Sequence, residues 1–239
     1  MSFRRRSAKV MAVTAAVFLC MAGFFNMELT RFAEISPELK PRTLHAPMGG
    51  MEPVVADILW MRLIQFMGTA HEMGDQQRMS MLYTKFDRIT RLDPKFYMAY
   101  KFGVLSLFVR RPEKALRLLD RGLRCMSPEE YDWRLPFYGA FICYRYSDDE
   151  DRYDRSLRYL RKVAGAGKTP GFVRRFRPIV LERKNELDEA LDAWLELYEE
   201  AEDPMDQSII RQHLKRFARK VADGESSPDL ARRARELLE

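Results

Sequence analysis

Residues 95–128 read KFYMAYKFGVLSLFVRRPEKALRLLDRGLRCMSP, and this stretch decides the fold. Apolar residues at Ala99, Phe102, Leu105, Leu107 and Phe108 predict a first helix over about Phe96–Val109. A second set, Ala115, Leu116, Leu118, Leu119 and Leu123, predicts a partner helix over Pro112–Cys125. Pro112 suits a first turn, where its missing N–H has no partner to lose. The small residues are placed as a close helix pair needs them. Gly103 lies inside the first helix, Ala115 follows twelve residues later, and Gly122 seven beyond that. Backbones approach only where side chains are small, and larger groups such as Phe102 and Leu119 are expected to fill the space beside them.

This pattern resembles the tetratricopeptide repeat, a helix–turn–helix unit of about 34 residues. That repeat carries small residues at its eighth, twentieth and twenty-seventh positions and a proline near its end. With Gly103 as the eighth position, Ala115 and Gly122 take the other two, and Pro128 comes one residue late. Weaker copies flank the clear one. Residues 53–94 form a degenerate unit with helices over Glu52–Met73 and Gln77–Leu92. Its apolar stripe is Val55, Ile58, Leu59, Leu63, Phe66 and Met67, and Leu92-Asp93-Pro94 closes it. Residues 129–169 place Gly139 at the eighth position and Ser156 at the twentieth, once the polar insertion Ser147–Asp151 is discounted. Ser127 with Glu130 has the spacing of a helix-start capping box, and Gly165-Ala166-Gly167 ends the second helix. Residues 170–204 put Ala190 at the twentieth position and Pro178 where a small residue belongs, so that first helix is expected to kink or start late. Residues 205–239 read as a capping pair of helices, the last one charged on most faces. The resemblance implies an all-α, right-handed solenoid of helix hairpins over 52–239.

The N-terminus is different. Arg4, Arg5, Arg6 and Lys9 precede Val10–Met27, which has no charge. Eighteen residues at about 1.5 Å each reach about 27 Å, the thickness of a bilayer's hydrocarbon. A single transmembrane anchor over 10–27 is therefore expected. Its basic flank, 1–9, stays on the cytoplasmic side, and the helical domain lies on the periplasmic side of a bacterial inner membrane. The bacterial setting rests on overall resemblance. The alternative is a cleaved signal and a soluble periplasmic protein, although small residues are poorly placed for cleavage. Residues 28–51, with Pro37, Pro41, Pro47 and Gly49-Gly50, read as a linker.

Composition gives no sign of chemistry. Net charge is +6 with a pI near 9.2, a mild basic excess that favours an acidic partner or a membrane surface but does not imply nucleic acid. Cys20, Cys125 and Cys143 form no CxxC, and the latter two read as buried small hydrophobes, not a disulfide. His71 has no second histidine at ligand spacing, His45 lies in the linker, and His71 and His213 have no acid or serine at a suggestive spacing. Ser147–Asp151 lacks the alternation, glycine and terminal glutamate of a calcium loop. Gly165–Thr169 lacks the strand and spacing of a phosphate loop. No catalytic residue, metal or cofactor is expected, and the chain reads as an adaptor. The alternatives are a soluble subunit of a larger assembly and an accessory or catalytic subunit of an enzyme.

In the resembled family, first helices line a concave groove that takes an extended peptide or a partner helix. Carrying its positions over gives Tyr97, Tyr100, Val104 and Phe108, then Trp133, Ala140 and Tyr144, then Phe172, Arg175 and Arg183. An aromatic groove with a basic end suits an apolar segment that carries an acidic group. Charge also segregates: Glu186–Asp203 holds nine acids and no base, between the basic stretches Gly171–Lys184 and Arg211–Lys220. Mutual neutralisation of facing helices is one reading, and a second contact surface for anionic lipid is the other.

Overall fold

The computed structural model describes residues 50–69, 74–222 and 228–236. The basic flank, the anchor and the linker up to Gly49 lie outside the described residues. Among the described residues every regular element is a helix, and no helix is long and apolar enough to cross a membrane.

The helices are α1 (Glu52–Thr69), α2 (Asp75–Leu92), α3 (Tyr97–Leu107), α4 (Pro112–Cys125), α5 (Arg134–Tyr146) and α6 (Arg152–Ala164). Then come α7 (Gly171–Arg174), α8 (Phe176–Lys184), α9 (Leu187–Glu199), α10 (Pro204–Ala222) and α11 (Pro228–Glu236). They pair as hairpins, α1 with α2, α3 with α4, α5 with α6, α7–α8 with α9, and α10 with α11. Successive hairpins stack, with α3 beside α5 and α2 beside α4. The result is one layer of first helices backed by one layer of second helices. These are helix hairpins, in the order the sequence pattern predicts.

The small residues sit at the close approaches. A Cβ on Gly103 would stand 3.0 Å from Phe86 Cγ of α2 and 3.1 Å from Leu118 Cδ1 of α4. On Gly122 it would meet Tyr100 Cγ at 2.9 Å, and on Gly139 it would meet Tyr159 Cδ1 at 2.8 Å. Ala115 is fully buried, and so is Ser156, whose hydroxyl donates to Ala140 O at 2.9 Å. A polar group survives there because its hydrogen bond replaces water.

Polar ties join one hairpin to the next. Arg121 of α4 reaches back to α2, donating to Asp87 Oδ1 at 2.5 Å and Thr90 Oγ1 at 3.0 Å. Tyr159 of α6 donates to Asp120 Oδ1 of α4 at 2.6 Å, and both this bond and burial push its phenol pKa up. Lys184 closes α8 onto α6 through Asp154 at 2.6 Å. A further apolar core gathers Leu181, Leu191, Trp194, Leu214, Phe217 and Leu230 from α8 to α11.

Several details differ from the sequence reading. Helix α3 is shorter than expected at both ends. Phe102 and Leu105, expected on its packed side, are exposed. The cause is that α3 is apolar all round, so periodicity alone does not choose its inner face. Met67 of α1 is likewise exposed, and Cys125 is exposed while Cys143 is buried. Glu130 accepts from the Ser127 N–H at 2.8 Å, but α5 starts only at Arg134, so this is a turn and not a helix cap. The kink expected near Pro178 is a break at Arg175: α7 ends at Arg174, and α8 restarts so that Pro178 falls in its first turn. Asn185 turns the chain with a left-handed φ of 69°.

Substituting Gly139→Ala should therefore destabilise the fold by about 1–3 kcal/mol, because the Tyr159 ring must shift. Gly68→Ala, where a Cβ meets nothing within 4 Å, should be neutral or stabilising by up to about 1 kcal/mol. Urea unfolding of the two variants checks the contrast.

Candidate functional site

The candidate surface is the outward side of the first-helix layer. Seen from α3, the second helices lie behind Ala99, Tyr100, Gly103, Val104 and Leu107, all buried. Met98, Lys101, Phe102, Leu105 and Val109 therefore face outward, with Tyr97 and Phe108 on the flank towards α5. On α5 the outward residues are Phe137, Phe141, Tyr144 and Arg145, and Phe172 and Phe176 of α7 and α8 lie against them.

Of the positions carried over from the repeat family, Tyr100, Val104 and Ala140 are fully buried and cannot touch a partner. Tyr100 packs over Gly122 and donates to Thr90 O at 3.3 Å, so its role is in the core. The outward set of α3 lies one residue further on, about a 100° rotation of the helix. Tyr97 is half-buried and its hydroxyl is enclosed without a well-formed hydrogen bond, while burial and then Asp132 push its phenol pKa up. Phe108, Trp133 and Tyr144 are half-buried, and Phe172 is 53% exposed. Arg175 is held by Asp206 at 2.5 Å, and Arg183 is exposed at the end of α8.

The structure brings most of the remaining aromatics into one network, which includes rings the sequence reading did not single out. Trp133, Phe137 and Phe172 meet edge to face, with centroids 5.9–6.1 Å apart. Phe176 lies 5.4 Å from Phe137 and 5.2 Å from Tyr144. Phe141 and Tyr146 carry the contacts across to Phe108 on α3. Edge-to-face rings prefer these distances and hold one another in place. Phe137, Phe141 and Tyr144 recur at helical spacing on α5, a signal that could have placed Phe137 and Phe141 beside Tyr144.

Cations decorate the network. Arg134 lies 4.7 Å over Trp133, Arg145 5.9 Å over Tyr146, and Lys101 5.7 Å over Tyr97. Across α3, α5, α7 and α8 there are seven bases (Lys101, Arg134, Arg145, Arg174, Arg177, Arg183, Lys184) and one acid, Glu182. Glu182 is occupied by the Trp194 indole N–H at 2.8 Å. Arg174 and Arg177 turn to Glu200 and Glu196 of the acidic segment, and Arg233 of α11 reaches Asp192 at 2.5 Å. Much of the segregated charge is thus neutralised internally. Lys101, Arg145 and Arg183 have no acid partner among the described residues.

No chemistry converges elsewhere. His213 is stacked on Trp194 at 4.9 Å and 10°, and burial, then Arg216 and Arg175, lower its pKa. Among the described residues no three His, Cys, Asp or Glu side chains are grouped to hold a metal. Burial pushes the Cys143 thiol up to about 12, which leaves it unreactive at neutral pH. A hollow of about 200 Å³ lies between α6, α7, α8 and α9, and a wider, more open one of about 440 Å³ is bordered by Arg177, Glu189, Asp192 and Glu196.

No family model matches the chain, and no curated protein matches it. Among solved structures, it is similar to the crystal structure of YrrB, a TPR protein with an unusual peptide-binding site. The identity is 15%, covering 81% of this chain and 97% of that one, with a TM-score of 0.42.

Tyr100→Ala should cost about 3–5 kcal/mol, as for other large core truncations. Phe172→Ala should cost less than about 1 kcal/mol, as for a half-exposed ring at the edge of its cluster. Chemical denaturation of both variants separates the core residue from the surface one.

Proposed function

We propose that this chain is a membrane-anchored adaptor of a bacterial envelope assembly. It holds a partner protein on the aromatic, basic face of α5, α7 and α8, with the Phe108 flank of α3, and performs no chemistry. The single observation that carries this reading is the aromatic network of Trp133, Phe137, Tyr144, Phe172 and Phe176. It is partly open to solvent and edged by Arg145, with Arg183 exposed at the end of α8, and neither has an acid partner among the described residues. Aromatic anchors beside arginine are where binding energy concentrates at protein interfaces. The surface suits an extended or helical segment that offers an apolar side chain to Phe172 and a carboxylate to Arg145 or Arg183.

Displaying a random peptide library against the immobilised full chain should enrich sequences that pair aromatic or apolar residues with acids. Phe172→Ala and Arg145→Glu should each weaken the enriched peptides by about tenfold, roughly 1.4 kcal/mol. Affinities unchanged in both variants would remove the reading.

The anchor is proposed from Val10–Met27 alone, with the helical domain on the periplasmic side. In bacterial membranes the full chain should resist alkaline carbonate extraction, and protease should reach its domain only after the outer membrane is opened. Release by carbonate would favour the cleaved, soluble form.

A further inference from the structure

The N-terminal end of the same layer has a different chemistry. Helix α1 is apolar on nearly all sides: Val55, Ala56 and Leu63 face the core, while Val54 (50% exposed), Met61 (57%), Ile64 and Met67 face outward. A soluble end hairpin carries a polar outer face, and of its polar side chains α1 exposes only Asp57, Gln65 and Thr69, with Glu52 and Arg62 half-buried. The edge-to-face contact of Trp60 with Phe102 at 5.7 Å joins α1 to the exposed Met98, Leu105 and Val109 side of α3. Among the described residues, nine of the eleven large apolar side chains open to solvent belong to this end, the exceptions being Phe172 and Met205.

Cations border the patch. Lys85 of α2 lies 4.9 Å over the Phe66 ring of α1. Arg88, one turn on, has its Nε buried without a hydrogen-bond partner. Lys101 stands on the outward side of α3. None of the three has an acid partner among the described residues. Burial, then the nearby Arg88 and Arg62, lower the Lys85 pKa.

We infer that the outward faces of α1 and α3 lie on an anionic phospholipid bilayer, with Lys85, Arg88 and Lys101 among the headgroups. Aliphatic and methionine side chains with a tryptophan and unpaired cations are the composition of an interfacial surface. A protein partner would leave Lys85 and Arg88 needing acids of its own. The inference rests on the anchored reading for proximity: the uncharged run ends at Met27, 24 residues before Met51. A chain of that length spans at most about 80 Å.

Methionine oxidation by dilute peroxide tests this, read by peptide mass spectrometry on the full chain in nanodiscs. Discs of phosphatidylcholine are compared with discs that also contain phosphatidylglycerol. Met61, Met67 and Met98 should oxidise at least about fivefold more slowly in the anionic discs. Met205, 72% exposed on α10, should oxidise at the same rate in both and serves as the internal control. Lys85→Gln combined with Lys101→Gln, two surface changes, should cut the difference to about twofold or less. Equal rates in the two discs would overturn the inference. So would equal protection in detergent without lipid, which would assign the patch to a second copy or to the chain's own residues. Failure of the anchor shows separately, as a chain that does not enter phosphatidylcholine discs. The same rates are then measured with vesicles of the two compositions.

Discussion

The structure depends on a lack of volume at a few backbone crossings. Where Gly103 passes Phe86 and Leu118, where Gly122 takes the Tyr100 ring and where Gly139 takes the Tyr159 ring, a single methyl group would collide. Large aromatic rings fill the space that the glycines leave, so the α3–α4 and α5–α6 hairpins are each locked by a ring on one helix and a gap on the other. Packing of this kind is cheap only when both halves are present, because interiors are as dense as organic crystals. The same rings reach across hairpins: Tyr100 bonds to Thr90 and Tyr159 to Asp120. Ring-in-gap contacts thus set both the closure of these two units and their stacking on the unit before each.

This arrangement determines which faces remain open. The second helices bury one side strongly and turn charges to water on the other, as Arg117, Arg158 and Asp192 do. The first helices α1 and α3 are apolar almost all round, so burying one side leaves an apolar remainder. In α5 that remainder is aromatic and is partly covered by Phe172 and Phe176. In α1 and α3 it is aliphatic and open. Neighbouring helices of one layer thereby present two surfaces of different character.

Much of the architecture was legible in the chain. Apolar spacing with Pro112, Gly122 and Ala115 gave the second hairpin, and helix α4 begins and ends where the pattern says. Ala190, buried in α9, sits in the packed position its spacing indicates. The outward face of α3 was not legible, since a helix such as YMAYKFGVLSL has no polar side to mark its exposed direction. Positions borrowed from the repeat family pointed to Tyr100 and Val104, and packing against Gly122 and the second helices turned both inward. The Trp133–Phe137–Phe172 contacts join residues far apart in sequence, and no local period encodes them. The neutralisation of the Glu186–Asp203 acids by Arg174, Arg177 and Arg233 was foreseeable only as one of two outcomes, because charge counts do not say which helices face each other.

The lining of α3, α5, α7 and α8 separates two properties of any complex it forms. Its nearly single sign of charge acts at a distance, so it governs how often an oppositely charged chain arrives and makes that frequency fall with salt. Its interlocked rings act only on contact, so they govern how long the visitor stays. Evolution or engineering can thus tune arrival through Lys101, Arg145 and Arg183, and departure through Phe172 and Trp133, with little interference between the two.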